Sequence, residues 1–362
     1  MRVAPPAPML VAAYVTLFLA TRFCSDAWGR GVRRLVSLVF GVVAIAMHLG
    51  PPPPGFGAAR ADVVDVGQGL AVVLRGEDGR FALLDSGPSG GGRYDAGDRL
   101  VVPALVAQGC RRVEIFALSH DHDDHAGGAF AVLRDVDVGE LWVGEGSERD
   151  PLTAAVTAAA VARGVAVRRL KRGDGARLGA LELSILHPGL ADRDRSPNDR
   201  CLVVRATTLA GSSILLPGDL ESSGERALLD SGVEPRADVL VAPHHGADGS
   251  STWPFLARVA PRLVVVSAGL GNRFGHPGAA ALARYASIRA RVLRTDREGT
   301  IVLEDEHGAW RVSVEKERGR DEGDDENCGQ QNRENDAARS QRRRVVGEAG
   351  VTVPQPEQHE QP

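Results

Sequence analysis

Between residues 61 and 315 the chain repeats one pattern. Short apolar runs, cut by glycine, proline or acidic turns, alternate with stretches whose apolar residues recur every three or four positions. Side chains alternate faces along a strand and return to one face about every 3.6 residues along a helix, so the two patterns predict strands and helices respectively. Residues 61–66, 71–75 and 81–85 read as strands, the last two joined by the turn Gly76-Glu77-Asp78-Gly79. Residues 100–108 read as a helix, 113–118 as a buried strand and 128–134 as a helix. An alanine-rich helix over 151–163 precedes a strand over 181–186 and a hairpin formed by 201–207 and 213–216. Helices over 221–230, 253–259 and 279–288 then alternate with strands over 239–242 and 263–267. Strands over 301–304 and 310–314 close the domain. Strands bracket helices in both halves, which fits two sheets sandwiched between helical layers, an α+β arrangement.

The flanks obey other rules. Residues 9–20 and 35–49 are apolar, each short of the ~20 residues that span a bilayer, and residues beside them extend both. A secretory signal peptide is the competing reading, because Arg2 precedes the first stretch. Pro5, Pro6 and Pro8, together with the second stretch, favour a membrane helical hairpin over residues 1–50. Arg22, Arg30, Arg33 and Arg34 between the stretches put that loop in the cytoplasm and the globular domain on the opposite side of the membrane. Pro51 to Pro54 begin a stiff linker over residues 51–60. The globular domain then covers 61–315. Residues 316–362 hold no Leu, Ile, Phe, Tyr or Trp and are dense in charge, which predicts a disordered tail.

Composition narrows function more than fold. The net charge of -4 supplies no global basic field, so any nucleic-acid contact is local. Four cysteines, Cys24, Cys110, Cys201 and Cys328, are scattered without a CxxC pair, which argues against a disulfide framework or a thiolate zinc site.

The chemistry concentrates after the strand over 113–118, in His120-Asp121-His122-Asp123-Asp124-His125. A charge run is usually a solvated face, but a solvated face rarely holds three histidines in six residues. His120 and His122 lie two apart, so an extended backbone turns both rings the same way, and Asp124 with His125 serves a second position. Imidazole with carboxylate suits zinc, with manganese or iron as alternatives.

His120, His122, Asp124 and His125 carry the HxHxDH spacing and resemble the second motif of the metallo-β-lactamase superfamily. That resemblance implies an αββα sandwich. It makes Asp85, in Leu84-Asp85-Ser86-Gly87, a support for the histidine loop, and Asp219, in Pro217-Gly218-Asp219, a carboxylate shared by two metals. A narrower set appears in order: Asp65-Val66-Gly67-Gln68-Gly69, His244-His245-Gly246, Ser267-Ala268-Gly269, Asn272, Gly275-His276-Pro277 and Arg294-Thr295-Asp296. Over residues 65–300 it resembles the C-terminal hydrolase domain of the ComEC competence proteins, which take up DNA across the cytoplasmic membrane. Two departures stand out. Asn198 occupies the place of the superfamily's usual third-motif histidine, and His122 stands where ComEC-like sequences often carry aspartate. Full ComEC proteins also hold many membrane helices, so two apolar stretches imply a split, truncated or free-standing relative.

The resemblance implies two divalent cations, zinc first and manganese as the alternative. His120 and His122 would hold one. Asp124, His125 and a fifth-motif histidine would hold the other, and Asp219 would be shared. His244, His245 and His276 remain open for that histidine, with His245 favoured as ligand and His276 for phosphate. Asp124, Asp219 and Asp85 form the catalytic set, and His276, Asn198, Gln68 and Arg273 the substrate set, with Arg294 a further phosphate candidate. The expected activity is a phosphodiesterase acting on DNA, anchored to the membrane with its domain extracytoplasmic and a separate channel subunit as a candidate partner. A hydrolase of thioesters, lactones or lactams, and a non-enzymatic partner of an uptake channel, are the alternatives.

Overall fold

Strand β3 (Phe81–Leu84) is buried at every position, and its side chains divide between two cores. Ala82 and Leu84 face one core while Phe81 and Leu83 face another, so the strand needs cover on both sides. The fold supplies it. The computed structural model describes residues 57–90, 94–179 and 181–315. The expected hairpin, most of the proline linker and the expected tail lie outside the described residues. No helix among those described is long and apolar enough to cross a membrane.

One sheet has eight strands in the order β15-β14-β1-β2-β3-β4-β5-β6: β1 (Arg60–Val63), β2 (Val72–Arg75), β3, β4 (Arg112–Ala117), β5 (Asp137–Gly144), β6 (Ala166–Leu170), β14 (Thr300–Asp305) and β15 (Trp310–Glu315). The second has seven, ordered β13-β12-β11-β10-β9-β8-β7: β7 (Gly175–Leu178), β8 (Leu181–His187), β9 (Val203–Thr207), β10 (Ser213–Leu216), β11 (Val239–Val241), β12 (Leu263–Val266) and β13 (Arg291–Arg294). Leu84, Ile115 and Trp142 of the first sheet meet Ile185, Val204, Leu216 and Val265 of the second in a shared core. The outer face of the first sheet, with Leu83 and Phe116, packs under α1 (Val102–Ala107), α3 (Ala129–Asp135) and α4 (Pro151–Ala162). That of the second, with Leu215 and Val264, packs under α5 (Ser222–Asp230), α6 (Trp253–Val259) and α7 (Ala279–Ser287). The result is the expected αββα sandwich. Each fully buried Leu or Phe contributes about 1.5–3 kcal/mol, so these three cores offset the cost of desolvating a polar centre at their edge.

Four strands escape the sequence pattern: β5, β6, β7 and β13. Three of them are sheet edges and carry arginine, Arg168 and Arg169 in β6, Arg177 in β7 and Arg291 and Arg294 in β13. Charge on an edge strand blocks pairing with a second chain and also erases the apolar alternation by which strands are recognised. In β5 the first half, Asp137-Val138-Gly139-Glu140, holds a single apolar residue, although Leu141, Trp142 and Val143 are buried. Cys201 is buried and Cys110 partly so, both unpaired.

Within each sheet the strands that matter for chemistry run parallel. Strands β3, β4, β5 and β6 are parallel neighbours in the first, and β10, β11, β12 and β13 in the second. Parallel strands bring their carboxyl ends to one side, where the loops beyond them form a crevice.

Candidate metal centre

Five of those loops carry the site. Asp85 follows β3, Ser119 to His125 follow β4, Asp219 follows β10, His244 and His245 follow β11, and Ser267 follows β12. After β4, His122 is still extended and the short helix α2 (Asp123–Ala126) begins at the next residue, so the loop turns directly from strand geometry into helix. The intervening aspartates face the scaffold. Asp121 accepts a hydrogen bond from the backbone N–H of Thr153 in the first turn of α4, and Asp123 accepts one from the N–H of Ser89 at 3.2 Å. Two glycines make the crowding possible. Gly69 has φ +144°, and a Cβ there would lie 2.3 Å from the carbonyl of Asp124. Gly218 has φ +58°, and its Cβ would meet that of Ser119 at 2.8 Å.

Asp85 and Ser119 orient the histidines. Fully buried Asp85 accepts from the Ser119 N–H and Oγ–H, each at 2.7 Å, and its Oδ2 lies 2.8 Å from Nδ1 of His125. With its own proton given to Asp85, Ser119 Oγ accepts from His120 Nδ1 at 3.0 Å. His245 directs Nδ1 to the carbonyl oxygen of Ser267 at 2.9 Å. Each of these three histidines therefore keeps its Nδ1 proton on the scaffold and turns Nε2 inward.

The inward atoms form two donor sets. Asp124, His125, Asp219 and His245 make the first; His120, His122 and Asp219 make the second, and Asp219 belongs to both. In the first set His125 Nε2 lies 3.2 Å from His245 Nε2 and 2.9 Å from Asp219 Oδ1, and His245 Nε2 lies 3.2 Å from Asp124 Oδ2. With both rings neutral, two ring nitrogens and two carboxylates aim lone pairs at one point, an arrangement that repels itself unless protons or a metal cation occupy the point. Buried His120 Nε2 has no hydrogen-bond partner among the described residues, and Asp219 Oδ1 faces the Nε2 atoms of His125 at 2.9 Å and His245 at 3.5 Å. These residues fit divalent cations of the kind bound by imidazole and carboxylate.

The electrostatics agree. Burial favours the neutral form of His125, but the carboxylates of Asp219 and Asp85 outweigh it and raise its pKa well above the usual histidine range. Burial likewise opposes the charge on His245, and Asp219 and Asp124 raise its pKa. For Asp219 burial opposes ionisation, yet His125 and His245 hold its pKa well below the ordinary carboxylate value. His120 is lowered by burial and by the charge on His125, so it enters metal binding already neutral.

A pH dependence results. Raised values at His125 and His245 favour the metal-free folded chain below pH about 6.5, and that contribution is lost as pH rises through their folded pKa values. A cation must displace the same protons, so its affinity rises over the same window. The increase in melting temperature on adding Zn²⁺ or Mn²⁺ should be larger at pH 8 than at pH 6, with at least one proton released per chain. Equal shifts at both pH values, or no proton release by calorimetry in buffers of different ionisation enthalpy, would refute this.

Other expected site residues lie around the sets. His244 stands with Nε2 3.6 Å from Asp219 Oδ2 and Nδ1 3.4 Å from Glu221 Oε1. His244 and His245 both adopt left-handed backbone, at φ 50° and 55°, strain of the kind that gathers at functional sites. Asn198 donates to Glu221 Oε1 at 2.9 Å, and its own Oδ1 is buried without a partner among the described residues. It belongs to neither donor set. The ring of His276 lies 5.6 Å from that of His244 and 6.4 Å from that of His245. Gln68 Oε1 accepts from the Gly269 N–H at 3.2 Å and so props the loop after β12. Arg273 lies over the ring of Phe274, and Arg294 is bound to Asp296 at 2.6 Å. Sequence reasoning passed over Ser119 and Glu221. The available signals were a small hydroxyl residue at the end of a buried strand and an acid two positions after Asp219.

Comparison with known proteins gives this geometry a family. Residues 64–192 match the model of the metallo-beta-lactamase superfamily. The chain is 33% identical over 251 residues to ComE operon protein 3 of Bacillus subtilis, covering 66% of this chain and 32% of that one. It is 30% identical over 319 residues to competence protein ComA of Neisseria gonorrhoeae, covering 87% of this chain and 40% of that one. It thus spans well under half the length of either relative. Among solved structures, the metallo-beta-lactamase fold protein YhfI of Bacillus subtilis aligns with a TM-score of 0.43 at 11% identity, over 68% of this chain and all of that one.

Proposed function

We propose, for a chain that carries a metallo-beta-lactamase superfamily hydrolase domain and is homologous to competence proteins, that its reaction is metal-dependent hydrolysis of DNA phosphodiesters during DNA uptake. The observation that carries this reading is the sharing of one buried carboxylate, Asp219, between two donor sets. Paired cations of this kind suit in-line displacement at phosphorus, because attacking and leaving oxygens both need charge stabilisation. When bound, such cations lower the pKa of water for attack and neutralise charge on the phosphoryl oxygens.

The chain's own residues do the rest. His120 and His122 with Asp219 would hold one cation, and Asp124, His125 and His245 with Asp219 the other. Asp85 and Ser119 hold His120 and His125 in the tautomer that offers Nε2. His244, half-buried with Nε2 3.6 Å from Asp219 Oδ2, belongs to neither donor set and is a candidate to hold a phosphate oxygen. The absence of Asn198 from both sets leaves the second set with three protein groups against four, so the two sites should load unequally. Zinc and manganese are the candidate metals. We place the domain on the outer side of the cytoplasmic membrane, on the strength of the arginines between the apolar stretches.

The test uses the full chain loaded with Zn²⁺ or Mn²⁺ against single-stranded DNA, a phosphodiester dye and nitrocefin. Cleavage of the first two supports the reading. Hydrolysis of nitrocefin alone would instead favour a small-molecule hydrolase, and no hydrolysis with intact metal loading would favour a non-enzymatic partner.

A further inference from the structure

The loop from Gly269 to His276 runs beside the centre and holds its hydrophobic side chains outward. Leu270 is 62% exposed and Phe274 53% exposed, in a chain with only nine phenylalanines. An isolated exposed apolar side chain needs no explanation. Here the backbone that carries the ring is fixed. Asn272 uses its whole amide inside the loop, donating to Gly269 O at 2.9 Å and His276 O at 2.6 Å and accepting from the N–H of Phe274 at 3.2 Å and of His276 at 3.0 Å. The Gly269 N–H is held in turn by Gln68.

What this loop presents is a stack. The Phe274 and His276 rings lie 5.9 Å apart at 12°, His276 and His245 come next at 6.4 Å and 29°, and the Arg273 guanidinium carbon sits 4.8 Å from the centre of the Phe274 ring. The series begins at an exposed cation and ring on the surface and ends at a residue of the first donor set. The Arg273 guanidinium covers the exposed Phe274 ring as a nucleobase would; a base that takes its place on the ring frees the guanidinium for the adjoining phosphate, since every base offers a π-face and stacking tolerates any sequence.

We infer that Phe274 is a stacking site for a base of a single strand near the scissile phosphate, with Arg273 pairing to the adjoining backbone phosphate. The inference rests on the proposal that DNA is the substrate. It explains why an overall acidic chain needs no broad basic face: one stacked base and one cation hold the strand where the centre acts. It also gives Gln68 and Asn272 a role as positioning residues for the platform.

The experiment measures binding to the full chain in EDTA, so that cleavage plays no part. The probes are a fluorescent octathymidylate and an abasic phosphodiester strand of the same length. The wild-type chain should prefer the base-bearing strand by about five- to a hundredfold, the range expected for one stacked base. Phe274→Ala should bring that preference close to one, and Phe274→Trp should retain it. Equal binding of the two strands by the wild type, or full preference in Phe274→Ala, overturns the inference. Base preference without any cleavage in the metal-loaded chain would sink the phosphodiesterase reading and leave the stacking site standing.

Discussion

Asp219→Ala should leave a folded chain that binds at most one divalent cation and turns over its substrate slower by a factor on the order of 10³ or more. Asp219 is the one group common to both donor sets, so its loss strips a ligand from each. The set of His120 and His122 would be reduced to two protein groups, and that site should empty first. Calorimetric titration with Mn²⁺ should show two unequal steps in the wild type and a single weaker one in the variant. The fold should survive, because Asp219 sits in the loop after β10 and belongs to none of the three hydrophobic cores; the metal-free variant should lose stability at low pH, where Asp219 faces charged His125 and His245. Two intact binding steps with ordinary turnover would remove the shared-carboxylate centre from consideration.

The second large effect is expected at a residue that touches neither cation nor substrate. Asp85→Ala leaves the buried Ser119 N–H without an acceptor and releases His125 Nδ1, at a cost of about 2–5 kcal/mol of stability. It also frees the histidine ring and hydroxyl that set two tautomers, which should weaken metal binding by roughly 10–100-fold. Asp85→Asn restores the shape but presents an amide that cannot accept at both oxygens, so metal affinity should recover less than stability does. Denaturant midpoints and metal titrations on both variants separate the two contributions. If both quantities fall in strict proportion across the pair, Asp85 is only a packing residue.

Much of the scaffold was readable from periodicity. Strands such as β3 and β4, buried on both faces, announce themselves by unbroken apolar runs, and α5, α6 and α7 by apolar residues on one face. What periodicity passed over were β5, which opens with Asp137, Gly139 and Glu140, and β6, β7 and β13, where arginine on a sheet edge replaces the alternation. The membrane hairpin and charged tail expected from composition lie beyond the described residues and stand as expectations.

The donor types of this centre were legible in sequence alone, because HxHxDH after a buried strand places four candidate donors in six positions. The tertiary structure decided which distant groups join them. His244 and His245 are neighbours with the same left-handed backbone, yet only His245 enters the first donor set, meeting Asp124 across 121 positions of chain. Asn198 turns to Glu221 and joins neither set, Gln68 props a backbone, and Phe274 is held out in solvent by Asn272. Such outcomes depend on the register of β10, β11 and β12 and on how their loops pack at the carboxyl ends of the sheet. A residue's own neighbours in sequence encode its backbone state, whereas its partners across the crevice exist only once the two sheets have closed on their common core.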